Sequence, residues 1–497
     1  MARSTTPLLP EVKSHYGDLQ NYVDGGWRPT EAAEWLDDPN PATGRVIARV
    51  PLSTKEDVDV AVQAALRAWD AWRETPPLDR ARTFFALRDL MERHAEDLSR
   101  VVVQDMGKTI DEARGEVRRA IENVEVAAGI PSLMMGYNLE DGAAKGIDEE
   151  VLYQPVGVFA GISPFNFPVM VQFWFWPYAV ATGNVWIAKP SEQDPIASAL
   201  VFDLIHRAGF PAGVVNLVHG AKDTANALID HPDVRGISFV GSSATARAVY
   251  ARAAAAGKRV QCGGGAKNVL VVMPDAKLDT AVSNMIASCY GCAGERCLAG
   301  SVVVGVGGVD EALRTTFGEA ASKLKVGYGL DETVRMGPVI SKAHRDRVVG
   351  FIDQGEAEGA RVALDGRQLR VRDYPGYFVG PTVLDDVRAD MDVAQAEIFG
   401  PVVTFFEADR LDDAIETVNR SPYGNAATIY TSSGKAARDF RHRARAGNIG
   451  VNIGVAAPVA YFPFGGTKES FFGDLHPQGR DAIRFFTESK VVITRWL

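Results

Sequence analysis

From residue 151 onward the chain repeats one pattern: short apolar, β-branched runs closed by glycine or proline, with helical segments between them. The runs are "VLYQPVGVFAGIS", "GNVWIAKP", "GVVNLVHG", "GISFVGS" and "NVLVVMP"; "DPIASALVFDLIHRAG" and "TANALIDHP" lie among them. A run with no polar alternation suits a strand covered on both faces, and such strands alternate with helices in a doubly wound parallel sheet. Sheets of this kind bind ligands at the carboxyl ends of their strands. A second alternating region extends from about 273 to 460. With 497 residues the chain exceeds a single core, so two or three α/β domains are expected.

Ahead of this region the pattern is helical. In "STKEDVDVAVQAALRAWDAW", Ser53 and Glu56 read as a capping box. Val58, Val62, Ala65, Trp69 and Trp72 then recur at helical spacing and predict one buried face. A second helical region is expected over about 78–106, and a third in "TIDEARGEVRRAIENVEVAAG". No internal repeat, low-complexity tract or disordered linker interrupts the chain.

Charge narrows the function. The net charge of −10 (53 basic residues against 63 acidic) argues against a nucleic-acid partner, which needs a basic face. Four cysteines, all between Cys262 and Cys297, are too few for a disulfide framework and fit a reduced cytoplasmic protein with at most one working thiol. Cys289 and Cys292 form a CxxC, but no second pair and no HExxH accompanies it, so no metal site is expected. The start "MARSTTPLLPEVKSHYGDLQ" lacks an apolar stretch of signal length, and no run of about 18 apolar residues predicts a membrane span.

The common nucleotide signatures, GxGxxG after a strand and GxxxxGK[ST], are missing; "GVGGVD" fails the first at its last position. Other stretches could carry chemistry. "GISPFNFPVM" leaves Asn166 on a loop after a strand, where its amide could serve an oxyanion or simply satisfy a turn. "IAKPSE" ends a strand with Lys189, followed by Ser191 and Glu192, groups that could meet phosphates or ribose hydroxyls or merely be solvated. "ISFVGSSATA" runs through Gly241 into a helix start, placing Ser242 and backbone N–H groups where a pyrophosphate could sit. In "GERC" the Arg296 guanidinium could favour a Cys297 thiolate, the nucleophilic form, although a lone cysteine is often inert. "EIFGP" sets Glu397 and Phe399 before a turn.

In their order and spacing, "PFNFP", "KPSE", "FVGS", "GERC", "EIFGP" and "PFGGTK" closely resemble the aldehyde dehydrogenase superfamily over essentially the whole chain. The resemblance implies an NAD-binding domain over 15–137 and 160–272, a catalytic domain over 273–462, and an oligomerisation arm over 138–159 that is completed within a C-terminal segment, 463–497. A homodimer or homotetramer follows from that arm. By resemblance Cys297 is the nucleophile, and Asn166 with the Cys297 N–H forms the oxyanion hole. Ser163, Phe165, Lys189, Glu192, Gln193, Ser242, Gly264, Glu397 and Phe399 fall on cofactor-contact positions. Glu192, accepting from the adenosine ribose, would repel a 2′-phosphate and favour NAD.

In hydrolytic members a glutamate stands 34 positions before the cysteine and activates water. Here that position is Gly263, in "QCGGGAKN". General-base assistance is worth about 10²–10⁴-fold, so the acyl group needs another acceptor. The branch that lacks this glutamate and reads "GAKN" just after it, the methylmalonate-semialdehyde dehydrogenases, acylates coenzyme A. The chain shares that branch's "NPATG", "MGKT", "PYGN" and "SFFGD…FFTESKVVITRW". The resemblance implies Arg119, Arg296 and Trp174 as substrate-binding residues, the arginines for a carboxylate. It implies oxidation of (methyl)malonate semialdehyde and, after decarboxylation, propionyl-CoA or acetyl-CoA. Two departures stand out: Gly263–Gly264 replaces larger residues, and Ala246 replaces a glycine. The alternatives are a hydrolytic dehydrogenase with a base from elsewhere, a non-redox thiol enzyme, and a scaffold.

Overall fold

The computed structural model describes residues 12–30 and 32–497. Two sheets organise it. In the first, strands run in the order Gly26–Arg28, Asn21–Val23, Val215–Leu217, Val185–Lys189, Val158–Ile162, Val234–Val240, Arg259–Gly263 and Phe471–Phe472. The five central strands are mutually parallel, while both margins are antiparallel. Numbered along the chain, those five lie in the order 3-2-1-4-5, so the topology switches between Val158–Ile162 and Val234–Val240, where a crevice opens at the carboxyl ends. Val158–Ile162 and Val185–Lys189 are buried at every position, as expected for strands covered on both faces.

The second sheet runs Arg361–Leu364, Thr382–Asp385, Val402–Ala408, Gly300–Val306, Asn268–Val272, Ala426–Tyr430 and Asn448–Val451, parallel except at its first strand. Asn268–Val272 was expected with the first domain. It pairs instead with Gly300–Val306 and Ala426–Tyr430, so the chain crosses between sheets at 264–267. Thr487–Arg495 pairs residue for residue with Ile147–Pro155, and Tyr137–Leu139 adds a third strand to this arm. The arm therefore stops at Pro155, because the expected 138–159 segment runs into the central strand that starts at Val158. From the C-terminal segment, Phe471–Phe472 borders the first sheet, and Phe485 and Phe486 pack on Phe159 beneath it.

Local signals mostly hold. The first helix, Lys55–Glu74, buries Val58, Val62, Ala65 and Trp72 of its predicted face, each worth up to about 1.5–3 kcal/mol for the larger side chains, while Trp69 is only half-buried at the margin of the core. Its capping box is one residue later than expected. Thr54 and Asp57 bond each other reciprocally, because the Ser53 hydroxyl is taken by Asn21 at 2.8 Å. The helical region 78–106 is two helices, Pro77–Arg93 and Ala95–Met106, broken at His94. Among the described residues no helix is long and apolar enough to cross a membrane.

Candidate active site

Carboxyl ends of the first sheet face amino ends of the second. From the first come the loops after Ile162, Lys189 and Val240; from the second come Asn268, Cys297, Glu397 and Asn425, each just before or at the start of a strand. The approach to Cys297 is a left-handed turn, with φ of 48° at Cys292, 52° at Ala293 and 76° at Gly294. Two non-glycine residues in that region cost free energy, which the surroundings must offset. The Cys297 carbonyl accepts from Asn268 Nδ2 and from Asn425 Nδ2, each at 2.8 Å. With its carbonyl clamped by two asparagines, the Cys297 backbone is held on one side.

Asn166 Nδ2 lies 3.8 Å from Cys297 Sγ and donates to Glu295 O at 2.9 Å. The loop carrying Asn166 is pinned from below by a fully buried ion pair, Lys108–Glu116, at 2.6 Å. Lys108 Nζ also donates to Asn166 O at 2.8 Å, and Glu116 Oε1 accepts from Val169 N and Met170 N at 2.8 and 3.1 Å. Burial pushes the Cys297 thiol above its ordinary range; the Asn166 amide and the positive charge of Lys108 oppose that, while Glu397 adds to it.

The cation expected to activate Cys297 does not do so. Arg296 turns its Nε to Cys292 Sγ at 3.2 Å and its Nη2 to Glu112 Oε1 at 3.2 Å, serving the left-handed turn rather than the nucleophile. Burial still holds the Cys292 thiol up at about 11. All four cysteines are free thiols.

A cleft of about 1190 Å³ runs from Cys297 along the switch point. All nine residues assigned to cofactor contact by resemblance line it, from Ser163 and Phe165 to Glu397 and Phe399. Its chemistry suits a dinucleotide. Ser163 Oγ is buried without a hydrogen-bond partner, Lys189 Nζ and Glu192 Oε2 pair at 2.8 Å, and Ser242 caps the Ser243–Ala255 helix. Such a pair offers a donor and an acceptor to ribose hydroxyls, and the helix start offers N–H groups to phosphate. Glu397 is pushed up to about 7 by burial, although its Oε1 accepts from Ala266 N at 2.7 Å.

A second cavity, about 390 Å³, also reaches Cys297 and is lined by Arg119, Arg296 and Trp174 among others. Arg119 pairs with Glu122 at 2.9 Å, and Trp174 packs on Phe464 with ring centres 4.1 Å apart. A third, narrow cavity joins Cys297 to Gly263, Gln261, Trp174 and Phe464, and no carboxylate lines it. A Cβ at Gly263 would lie 3.2 Å from Val240 Cγ2, so a side chain there needs only a small adjustment. At Gly264 a Cβ would lie 2.5 Å from Glu469 O and 2.9 Å from Ser243 Oγ. That close approach explains one departure from the larger residues expected there.

These cavities are lined by every residue that the resemblance assigns to catalysis, cofactor or substrate. Lys108, Glu116, Asn268 and Asn425 were missed as site residues, although "MGKT", "GAKN" and "PYGN" stood out as shared motifs. The model of the aldehyde dehydrogenase family matches residues 27–492.

The chain belongs to the aldehyde dehydrogenase family.

Within that family it is 49% identical over 479 residues to malonate-semialdehyde dehydrogenase 1 of Geobacillus kaustophilus, covering 96% of this chain and 98% of the relative. Among solved structures it matches a methylmalonate-semialdehyde dehydrogenase of Oceanimonas doudoroffii with a TM-score of 0.95 and 42% identity, over 97% of this chain and 99% of that one. A putative methylmalonate-semialdehyde dehydrogenase of Sinorhizobium meliloti 1021, solved with NAD, matches at 0.95 and 41%, over 97% and 98%. As an aldehyde dehydrogenase the chain has the mixed α/β fold that its sequence predicted.

Proposed function

We propose that this aldehyde dehydrogenase oxidises malonate or methylmalonate semialdehyde with NAD and transfers the acyl group to coenzyme A. The observation that carries the proposal is Gly263: the narrow cavity that joins this position to Cys297 is lined by no carboxylate, so the place of the water-activating base is filled by a residue without a side chain. The relatives' names support the substrate class, and the two arginines of the second cavity suit a substrate carboxylate. The unpartnered Ser163 hydroxyl and the Lys189–Glu192 pair support NAD.

The Cys297 thiolate attacks the aldehyde carbon. Asn166 Nδ2 and the Cys297 N–H receive the developing oxyanion; losing one such donor typically costs about 2.7–4 kcal/mol. Nicotinamide bound in the cleft supplies the hydride acceptor. Collapse of the tetrahedral adduct leaves a thioester on Cys297. Loss of the 3-carboxylate as CO2, with a proton taken up at carbon 2, converts the malonyl or methylmalonyl group to acetyl or propionyl. The coenzyme A thiol, a stronger nucleophile than water, then takes the acyl group and Cys297 leaves as thiolate. We place decarboxylation after acylation.

The arm presents Tyr137, Leu139, Leu152, Val491, Ile493 and Trp496 exposed, which supports its covering by a second copy in a homodimer or homotetramer. Four free thiols suit a reducing, cytoplasmic setting. A rapid-mixing experiment tests the function. Enzyme, NAD and malonate semialdehyde without coenzyme A should give one burst of NADH and an acyl adduct on Cys297 that persists in the intact-protein mass. Continuous release of free acid would reject the proposal in favour of hydrolysis.

A further inference from the structure

Gln478 begins the Gly479–Phe486 helix and lines the cavity that holds Arg119, Arg296, Trp174 and Cys297. Its backbone sits at φ 68° and ψ 170°, a combination that crowds Cβ and that glycine occupies almost alone. The residue is 3% exposed, and its Oε1 is buried without a hydrogen-bond partner. Glycine at 478 would remove both penalties at once. The loop enforces the conformation from either side: Phe464 N donates to Pro477 O at 2.9 Å, and Gly479 N donates to Ala460 O at 3.2 Å.

The other polar groups of this wall are engaged. Arg296 is tied to Glu112 and Cys292, Arg119 to Glu122, and Asn123 to Arg119 O and the Tyr178 hydroxyl. A strained residue on the wall of this cavity, with a buried amide oxygen that has no partner, points to a ligand.

We infer that Gln478 is a substrate-binding residue whose amide N–H donates to the carboxylate of a 3-oxo acid while its aldehyde carbon reacts at Cys297. The inference rests on the reading of the substrate as a semialdehyde acid. Turned about its last torsion, the amide presents either an oxygen or two N–H donors at the same place, and a carboxylate selects the donors. A neutral amide adds direction without a further charge in the cavity. Gln478 thereby helps separate a carboxylated aldehyde from a plain alkanal.

The test compares kcat/KM for malonate semialdehyde and for propanal, with thermal midpoints, in wild type, Gln478→Gly and Gln478→Leu. A hydrogen bond to a charged group is worth enough that both variants should lower the malonate semialdehyde/propanal ratio at least about tenfold, mainly through KM. Gln478→Gly should raise the midpoint, because it relieves the backbone; Gln478→Leu, which keeps the strain, should not. A Gln478→Gly protein that gains stability and keeps the wild-type ratio overturns the inference. A wild type with no preference for malonate semialdehyde over propanal overturns the substrate reading and the inference with it.

Discussion

At the scale of single residues, the chemistry turns on what stands at 263 and on what surrounds Cys297. Gly263 lies within the strand Arg259–Gly263 without a left-handed φ, and the tightest contact of a Cβ there is with the side chain of Val240, at 3.2 Å. Gly263→Glu should therefore fold and place a base in the cavity. Acid formation without coenzyme A, measured by product analysis, should rise by about 10²-fold or more. Lys108 is the cation that opposes the upward shift of the Cys297 thiol, and it also holds the Asn166 loop. A buried cation removed alone leaves an unpaired carboxylate, so the informative variant is the neutral pair Lys108→Met/Glu116→Gln. It should alkylate with iodoacetamide more slowly near neutral pH and catch up in alkali, because the thiol loses a favourable charge. An unchanged alkylation profile would assign the pair to stability alone. These roles were not legible in the sequence. Nothing in spacing tells that Asn425 reaches the Cys297 carbonyl across 128 positions, or that Arg296 turns away from its neighbour to Cys292. The residues named by motif, in contrast, all reach the cavities, because those motifs sit at strand ends whose place the sheet topology dictates.

Among the elements, the junction of the Ala95–Met106 helix with the loop before the Ile196–Ala208 helix holds an unusual cluster. Asp38, Asp105 and Asp194 are all fully buried, and five of their six carboxylate oxygens have no hydrogen-bond partner. Burial holds all three carboxyls above their ordinary range, Asp105 at about 7, and the mutual charge of the group adds to the shift for Asp38 and Asp194. A carboxyl whose folded value is raised contributes stability that is fully present below the unfolded value, about 3.9, and lost as pH rises through the folded one. The thermal midpoint should therefore fall as pH rises toward and through about 7. Asp105→Asn keeps an oxygen for the Ala197 N–H, bonded at 3.0 Å, and cannot ionise. That variant should show a shallower decline, and an identical decline would exclude Asp105 as the titrating group. Element type was largely readable from period and β-branching. Boundaries were not: His94 splits a helical region whose apolar spacing runs through it, and Asn268–Val272 joins the second sheet because its pairing partners, not its own composition, decide its sheet.

For the whole molecule, two sheets meet with unlike ends, and the three cavities converge on Cys297 from different sides. The arm forms a sheet of its own with apolar side chains exposed, and its last strand is contributed by the C-terminal segment. Replacing Ile493 and Val491 together by glutamate should lower the mass measured by light scattering if a second copy covers that face. No change in mass would show that association lies elsewhere. The central claim, that an aldehyde dehydrogenase lacking a base at 263 makes thioesters, is tested most directly in steady state. NADH formation from malonate and methylmalonate semialdehydes should be followed with and without coenzyme A, and the products identified by mass. The account predicts turnover that depends strongly on coenzyme A and yields acetyl-CoA or propionyl-CoA. Full turnover to a free acid in its absence would contradict it.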